Sequence, residues 1–208
     1  MIFKKSFSII ELTLVIILIA IISTFLIPKN LNSNLNQAAN TIITHLKNTR
    51  YQAMLDNKFN HKDNKWFRQR WTFKFMRCSF NVGGLYYVIY SDTNKLGHAN
   101  VNESLKDPLS QKWVYASNKC KQNQYWDKNV LLTKEYGVSK IVVSCNSTNA
   151  IGQFSFGYDG KVYTKLTNET YGSHKNELKK PCMITLYGKT NENVTIIVEP
   201  NTGFIYKR

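Results

Sequence analysis

The chain has 208 residues, with 28 lysines and arginines against 13 aspartates and glutamates, for a formal charge of +15. About 180 residues follow an apolar N-terminal segment, one domain's worth on ordinary length priors, and this excludes a multidomain machine. A surface this basic favours polyanions.

The chain opens Lys4-Lys5-Ser6-Phe7-Ser8-Ile9-Ile10-Glu11, and residues 9–27 then carry a single charge, that of Glu11. An apolar run of about twenty residues is long enough to cross a bilayer as a helix, and Lys4 and Lys5 hold its start in the cytoplasm. The expectation is a single-pass span in a bacterial inner membrane with the rest of the chain in the periplasm. A carboxylate near the start of a membrane helix costs roughly 2.5 to 3.5 kcal/mol, so Glu11 needs a purpose. A new α-amino group, made by cutting between Ser6 and Phe7 and presented by a neighbouring subunit, supplies one. A secretory signal peptide carries a small-residue cleavage site after its apolar region, and Phe25-Leu26-Ile27-Pro28 offers none. Lys4-Lys5, Phe7 and Glu11 resemble the basic leader, first mature residue and glutamate of the class III signal of type IV pilins and pseudopilins, with Ser6 before the cut where that signal usually has glycine or alanine. That resemblance implies cleavage by prepilin peptidase, methylation of the new terminus and assembly with other pseudopilins in a filament. Loss of Lys4 and Lys5 lowers the formal charge from +15 to +13.

After Pro28, the apolar positions Leu31, Leu35, Ala38, Ala39, Ile42, Leu46 and Ala53 keep a helical period to about Leu55. Residues 7–28 and 29–57 are expected to form one long helix, a transmembrane half and an amphipathic half, kinked at Pro28 because proline removes a backbone bond and crowds the previous turn. Many type IV pilins carry a proline at the corresponding place, where it eases local melting as the filament packs.

Beyond Asn57 the period changes to two. Trp71, Phe73 and Phe75 alternate with Arg70, Thr72 and Lys74, and the turn signal Gly83-Gly84 precedes Leu85-Tyr86-Tyr87-Val88-Ile89-Tyr90, which reads as a hairpin. Further strands are expected at residues 141–145, 151–158, 162–166, 183–187, 194–198 and 204–206, with Asp159-Gly160 as a hairpin turn. Residues 92–137 read mostly as loops. The fold class is α+β, with an antiparallel head over residues 58–208 packed on the helix.

Four cysteines, Cys78, Cys120, Cys145 and Cys182, lie after the apolar segment, none in a C-x-x-C pair or beside histidines at zinc spacing. In an oxidising compartment they read as disulfides. Four cysteines allow three pairings and the sequence does not choose among them. Cys145 closes a strand-like run and Cys182 opens another, which favours that pair and leaves Cys78 with Cys120.

Three further stretches sharpen the resemblance: Leu46-Lys47-Asn48-Thr49-Arg50-Tyr51-Gln52-Ala53, Phe154-Ser155-Phe156-Gly157-Tyr158-Asp159-Gly160, and Val194-Thr195-Ile196-Ile197-Val198-Glu199-Pro200-Asn201-Thr202-Gly203. In this order they are similar to the GspH/FimT type of minor pseudopilin. The resemblance implies a head of two antiparallel sheets against the helix, near the tip of a short periplasmic filament. Members of that family serve type II secretion, pilus biogenesis or DNA uptake.

Lys58, Lys62, Lys65, Arg68, Arg70, Lys74 and Arg77 form a basic segment opposed only by Asp63, with Trp66, Phe67 and Trp71 interleaved. If 68–74 is a strand, Arg68, Arg70 and Lys74 share one face at about 7 Å per two residues, a spacing that follows a phosphate backbone and gives salt-sensitive, sequence-independent DNA binding. A solvated basic surface, or one matched to an acidic neighbouring subunit, is the plainer reading of the same residues. Asp92, Asn94, Gly97 and Glu103 fit four positions of a calcium loop, but Leu96 occupies one that requires oxygen and a strand precedes it. His45, His61, His98 and His174 are scattered, and neither H-E-x-x-H, G-x-S-x-G nor a phosphate loop occurs. No catalytic activity, cofactor or metal is expected. Two roles remain: a filament subunit that takes part in DNA uptake, and a filament-tip subunit for protein secretion with no nucleic-acid contact.

Overall fold

A computed structural model describes residues 9–26, 31–190 and 192–208. The chain divides into two compact units, Met1–Leu31 and Asn32–Arg208.

Helix α1, Ile9–Leu26, belongs to the first unit. Its apolar side chains point outward on every side, from Ile9 at 82% exposure to Ile22 at 54%. With 18 residues it extends about 27 Å, short of a hydrocarbon layer of about 30 Å. No helix among the described residues is long and apolar enough to cross a membrane. This overturns the expected transmembrane span over 7–28 and, with it, the single-pass placement in an inner membrane. The single long N-terminal helix is likewise not formed. Helix α1 ends at Leu26 and helix α2 runs separately over Leu31–Leu55. Between them the sequence places Pro28, which lacks the N–H that a helix interior uses. The expected kink at Pro28 lies outside the described residues, as does the cleavage site at Ser6 and Phe7.

Helix α2 buries Leu35, Ala38, Ala39, Ile42, Leu46 and Ala53 on one stripe, as the three- and four-residue spacing dictates. Ala38 and Ala39 are fully buried on this stripe, as are Ile42 and Leu46, which each contribute about 1.5 to 3 kcal/mol by leaving water.

Two four-stranded antiparallel sheets enclose this stripe. The first, in the order β2-β1-β4-β5, is built from β1 (Trp71–Arg77), β2 (Leu85–Ser91), β4 (Gly152–Phe156) and β5 (Val162–Tyr163). The second, β3-β6-β7-β8, comprises β3 (Lys140–Val143), β6 (Cys182–Tyr187), β7 (Asn193–Val198) and β8 (Ile205–Lys207). In the first sheet Phe73 lies opposite both Ile89 and Phe154. Its ring stacks on Tyr87 at 4.6 Å and meets Phe75 edge-on at 5.0 Å, arrangements that add to simple area burial. In the second sheet Ile141, Ile184, Leu186, Ile196 and Val198 are buried, whereas Val142 and Met183 are exposed; alternation lapses at the end of β7, where Ile197 is buried along with both its neighbours. Residues 92–137 are largely irregular, as expected, with a short helix α3 at Leu132–Tyr136. Part of this segment hydrogen-bonds along β2, through Leu105 N to Ile89 O at 2.8 Å and Ile89 N to Val114 O at 3.1 Å. It thereby covers what would be an open sheet edge.

Two disulfides staple the head, Cys78–Cys120 and Cys145–Cys182. The first ties the end of β1 to the irregular segment, and the second joins the chain after β3 to the start of β6. Three stretches separated in sequence meet at one corner. Arg50 of α2 donates from Nε to Thr202 O at 2.7 Å. Gly203 sits at φ 60°, where a Cβ would lie 2.8 Å from Gly160 O and 3.2 Å from the Arg50 side chain. Only glycine fits this left-handed, crowded position.

Candidate functional site

Strand β1 sends Phe73 and Phe75 inward, so Thr72, Lys74 and Met76 face outward, beside Tyr86, Val88 and Tyr90 of β2 and Gln153 and Ser155 of β4. This outer face is not bare. Thr72 and Ser155 hydrogen-bond at 2.7 Å beneath covering loops, and Tyr86, Val88 and Tyr90 are all buried. Loops from both sides leave two adjoining cavities that share Lys74 and Gly97. One, of about 220 Å³, is lined by Met76, Tyr86, His98 and Tyr115 among others. The other, of about 310 Å³, is bounded by Arg68, Lys74, Tyr90, Asp92, Gln153 and Lys165 together with residues 148–150.

The three basic residues expected on one strand face are not placed so. Arg68 lies in a 3-10 turn, Trp66–Gln69, and β1 begins only at Trp71. Arg70 caps that turn and is 5% exposed. Its guanidinium stands 3.7 Å from the Tyr163 ring centre and 5.0 Å from that of Trp66, and Nη1 donates to Ser173 O at 2.8 Å. Burial lowers its pKa, against the pull of Tyr163, Asp159 and Glu177. A guanidinium stacked between two rings in this way holds the fold together and cannot reach a phosphate. Arg68 and Lys74 do converge, but at the 310 Å³ cavity, where Lys165 joins them.

Within that cavity the charges are unevenly satisfied. Asp92 is 4% exposed, its Oδ2 accepts from Gly97 N at 2.8 Å, and its Oδ1, itself shielded from solvent, has no hydrogen-bond partner among the described residues. A buried acceptor left so costs about 1 to 3 kcal/mol, more when charged. Lys74 is half-buried, and burial lowers its pKa while Asp92 opposes the shift. Its ammonium makes no hydrogen bond or ion pair among the described residues. Burial, with Asp92 and Glu103 nearby, pushes the Tyr90 hydroxyl up to about 12, so it stays protonated.

The oxygen-rich loop after β2 consumes its own ligands. Glu103 accepts from Thr93 Oγ1 at 2.7 Å, from Asn94 N at 3.0 Å and from Asn100, and Lys95 pairs with Asp63. No cluster of acidic, histidine or cysteine side chains suited to a metal ion occurs among the described residues. Of the remaining expected site residues, Glu11 occupies the first turn of α1, where a carboxylate suits the helix dipole.

Sequence reasoning missed Lys165, Gln153 and Tyr90 as neighbours of Lys74. Their convergence comes from four separate chain segments and leaves no local pattern. The period of two in β1 alone was available, and it puts Lys74 opposite the phenylalanines. Comparison with protein families, with curated proteins and with solved structures gives no match.

Proposed function

We propose that the protein is a minor pseudopilin, a subunit of a type II secretion or type IV pilus-like filament. The observation that carries this reading is helix α1. Its isoleucine, leucine and valine side chains are exposed all round, an area that a lone soluble helix does not leave uncovered. Packing among equivalent helices of neighbouring subunits covers it, and the disulfide-stapled β head is then displayed at the filament surface. The leader residues and the order of the three head stretches support the same reading, as does the requirement of two disulfides for an oxidising compartment. In this scheme prepilin peptidase cuts between Ser6 and Phe7, and Glu11 receives the new amino terminus of an adjacent subunit.

Mass spectrometry of the native protein tests the scheme. The expected species starts at Phe7 with a methylated amine, and an intact Met1 terminus in assembled protein rejects it. Glu11→Ala is expected to abolish co-purification with filament partners while leaving the head folded. Unchanged co-purification argues against the pairing.

A role in DNA uptake draws support from a second surface. Phe59, 54% exposed, and Tyr158, 48% exposed, lie with Trp66 in one aromatic cluster, with ring separations of 5.2 and 6.5 Å. Lys62 and Lys65 lie between Phe59 and Trp66 in the sequence, and neither makes an ion pair among the described residues. Exposed rings beside cations are what a nucleic-acid strand stacks on. A tip subunit for protein secretion is the alternative, and deletion followed by parallel transformation and secretion assays separates the two.

A further inference from the structure

We propose that the turn between β1 and β2, with Phe80 at its apex, docks the head onto an anionic phospholipid bilayer, the ring entering the headgroup–acyl boundary while cations at the base of the turn meet the headgroups. This inference goes beyond the filament reading and does not depend on it.

Exposure singles out the turn. Phe80 is 100% exposed and Val82 54%. The backbone that carries them is nonetheless held in place. Val82 N and Gly83 N both donate to Ser79 O, at 3.0 and 2.9 Å, Cys78 N donates to Gly84 O at 3.0 Å, and Ser79 N donates to Asn118 O at 2.7 Å. Gly83 and Gly84 take φ of 68° and 105°, values that suit glycine. A ring held out on an ordered turn is in place before its partner arrives, so little ordering entropy is lost on docking.

Chain continuity sets cations behind the apex. Arg77 precedes Cys78, and Lys119 and Lys121 flank Cys120. The disulfide holds the two cysteine Cα atoms 5.7 Å apart, and with about 3.8 Å between consecutive Cα atoms the Arg77 backbone lies no more than about 13 Å from that of either lysine. Lys134 follows Thr133, whose Cβ is 3.3 Å from where a Cβ on Gly84 would stand. All four basic residues are exposed, and none makes an ion pair among the described residues. Glu135, the one acid next to any of them in the sequence, accepts from Gln122 at 2.7 Å.

Layering selects the partner. Phe80 lies two residues beyond Cys78, at most about 7 Å of extended chain, and interfacial apolar groups sit about 5 to 10 Å into the headgroup–acyl boundary. An apolar apex ahead of a cationic base fits a partner with charge at its surface and hydrocarbon beneath. A nucleic-acid strand has no counterpart for Val82, and an apolar protein pocket leaves the cations without one. The lipid is an anionic one, because each lysine or arginine near such a surface strengthens binding about fivefold.

Tryptophan fluorescence of the full chain in nanodiscs of brominated lipid tests the proposal. The apolar side chains of α1 adhere to either lipid used, so total binding does not discriminate and the readout is local. Phe80→Trp is expected to add, above the four native tryptophans, an emission that brominated phosphatidylglycerol quenches and brominated phosphatidylcholine quenches at least about fivefold less. Tyr171→Trp is the control: Tyr171 is 76% exposed and bonded to Asn64, ahead of β1, and quenching there is expected with neither lipid. Arg77→Gln, Lys119→Gln and Lys121→Gln together in the Phe80→Trp chain are expected to abolish the quenching, as is raised salt, which screens exposed charges. Should that variant fail to fold, Lys119→Gln with Lys121→Gln alone is expected to weaken docking about 25-fold. No quenching at position 80, equal quenching by both lipids, equal quenching at position 171, or unchanged quenching in the folded charge variants overturns the proposal. Quenching by a single-stranded oligonucleotide in detergent, with none by the anionic discs, assigns the turn to nucleic acid and overturns it as well.

Discussion

His45 is the buried ionisable group on which stability at near-neutral pH turns. It projects from α2 with 5% exposure, its Nδ1 lies 2.7 Å from the Tyr87 hydroxyl, and its Nε2 stands 3.8 Å from both Asp107 Oδ1 and Asp127 Oδ2. Carboxylates only accept, so the ring hydrogen sits on Nε2 and Tyr87 donates to Nδ1. Burial raises the Tyr87 pKa well above its ordinary value, which keeps that donor in place. Burial also lowers the His45 pKa, outweighing the attraction of Asp127 and Asp107. The unfolded chain therefore takes up a proton near the ordinary value of about 6.5, before the folded chain does. More protons bound when unfolded means stability that rises with pH through this window and is lost on acidification below about 6.5. Thermal melts between pH 5.5 and 7.5 are expected to show that fall, and His45→Gln to flatten it. An equal slope in the variant assigns the effect elsewhere. None of this was legible beforehand, because the partners of His45 lie in β2 and two irregular turns. Arg70 failed for a related reason: its ring partner Tyr163 is 93 positions away in the sequence, and the strand was expected to start before Trp71.

At the scale of elements, periodicity carried far where one face is buried and the other is wet. The stripe of α2 and the strands near residues 71–77 and 182–187 follow directly from such patterns, whereas 85–91, buried throughout, and 193–198, whose last three residues are all buried, follow from apolar runs bounded by turn residues. What the pattern does not carry is which sheet a strand joins. Strand β3 pairs with β6, and the chain then returns to β1 for β4 before coming back, a crossing decided by the shape of the core. The long N-terminal helix was over-read because both halves are helical in pattern and only Pro28 argues for a break. The disulfides act at this scale too. Cys145–Cys182 links segments already held by the β3–β6 ladder, and Cys182 is fully buried. Cys78–Cys120 anchors an irregular stretch that has fewer ladder bonds. Replacing Cys145 and Cys182 by alanine is expected to lower global unfolding free energy by about 2 to 4 kcal/mol, read by denaturant melts. Replacing Cys78 and Cys120 is expected chiefly to speed amide exchange over residues 105–127. Uniform exchange changes in both variants would contradict this division.

Over the whole molecule, the net charge of +15 raises the local concentration of any polyanion before specific contacts form. Where such a polyanion docks depends on which cations are unpaired. Lys58 is held by Asp56 at 2.6 Å and Arg70 is buried in its aromatic stack, so the basic segment read from the sequence contributes fewer contacts than its composition implies. Lys62 and Lys65 remain, in the sequence between Phe59 and Trp66 of the aromatic cluster. If the DNA-uptake role holds, the full chain in mild detergent binds DNA without sequence preference, and log affinity falls against log salt by about 0.9 per phosphate contact on duplex and about 0.7 on single strands. Lys62→Gln with Lys65→Gln removes two contacts, so the duplex slope is expected to shrink by about 1.8. Phe59→Ala leaves the slope and weakens single strands more than duplex, because only unpaired bases can stack on an exposed ring. Exposed lysine substitutions change stability by about 0.5 kcal/mol or less, so a signal lost in the lysine variant reads as lost binding, and Phe59→Ala, which gives up its ring contacts with Trp66 and Tyr158, is read beside a thermal melt. A slope unchanged by the double variant removes this surface, and absence of binding at low salt leaves the filament subunit for protein secretion as the reading that stands.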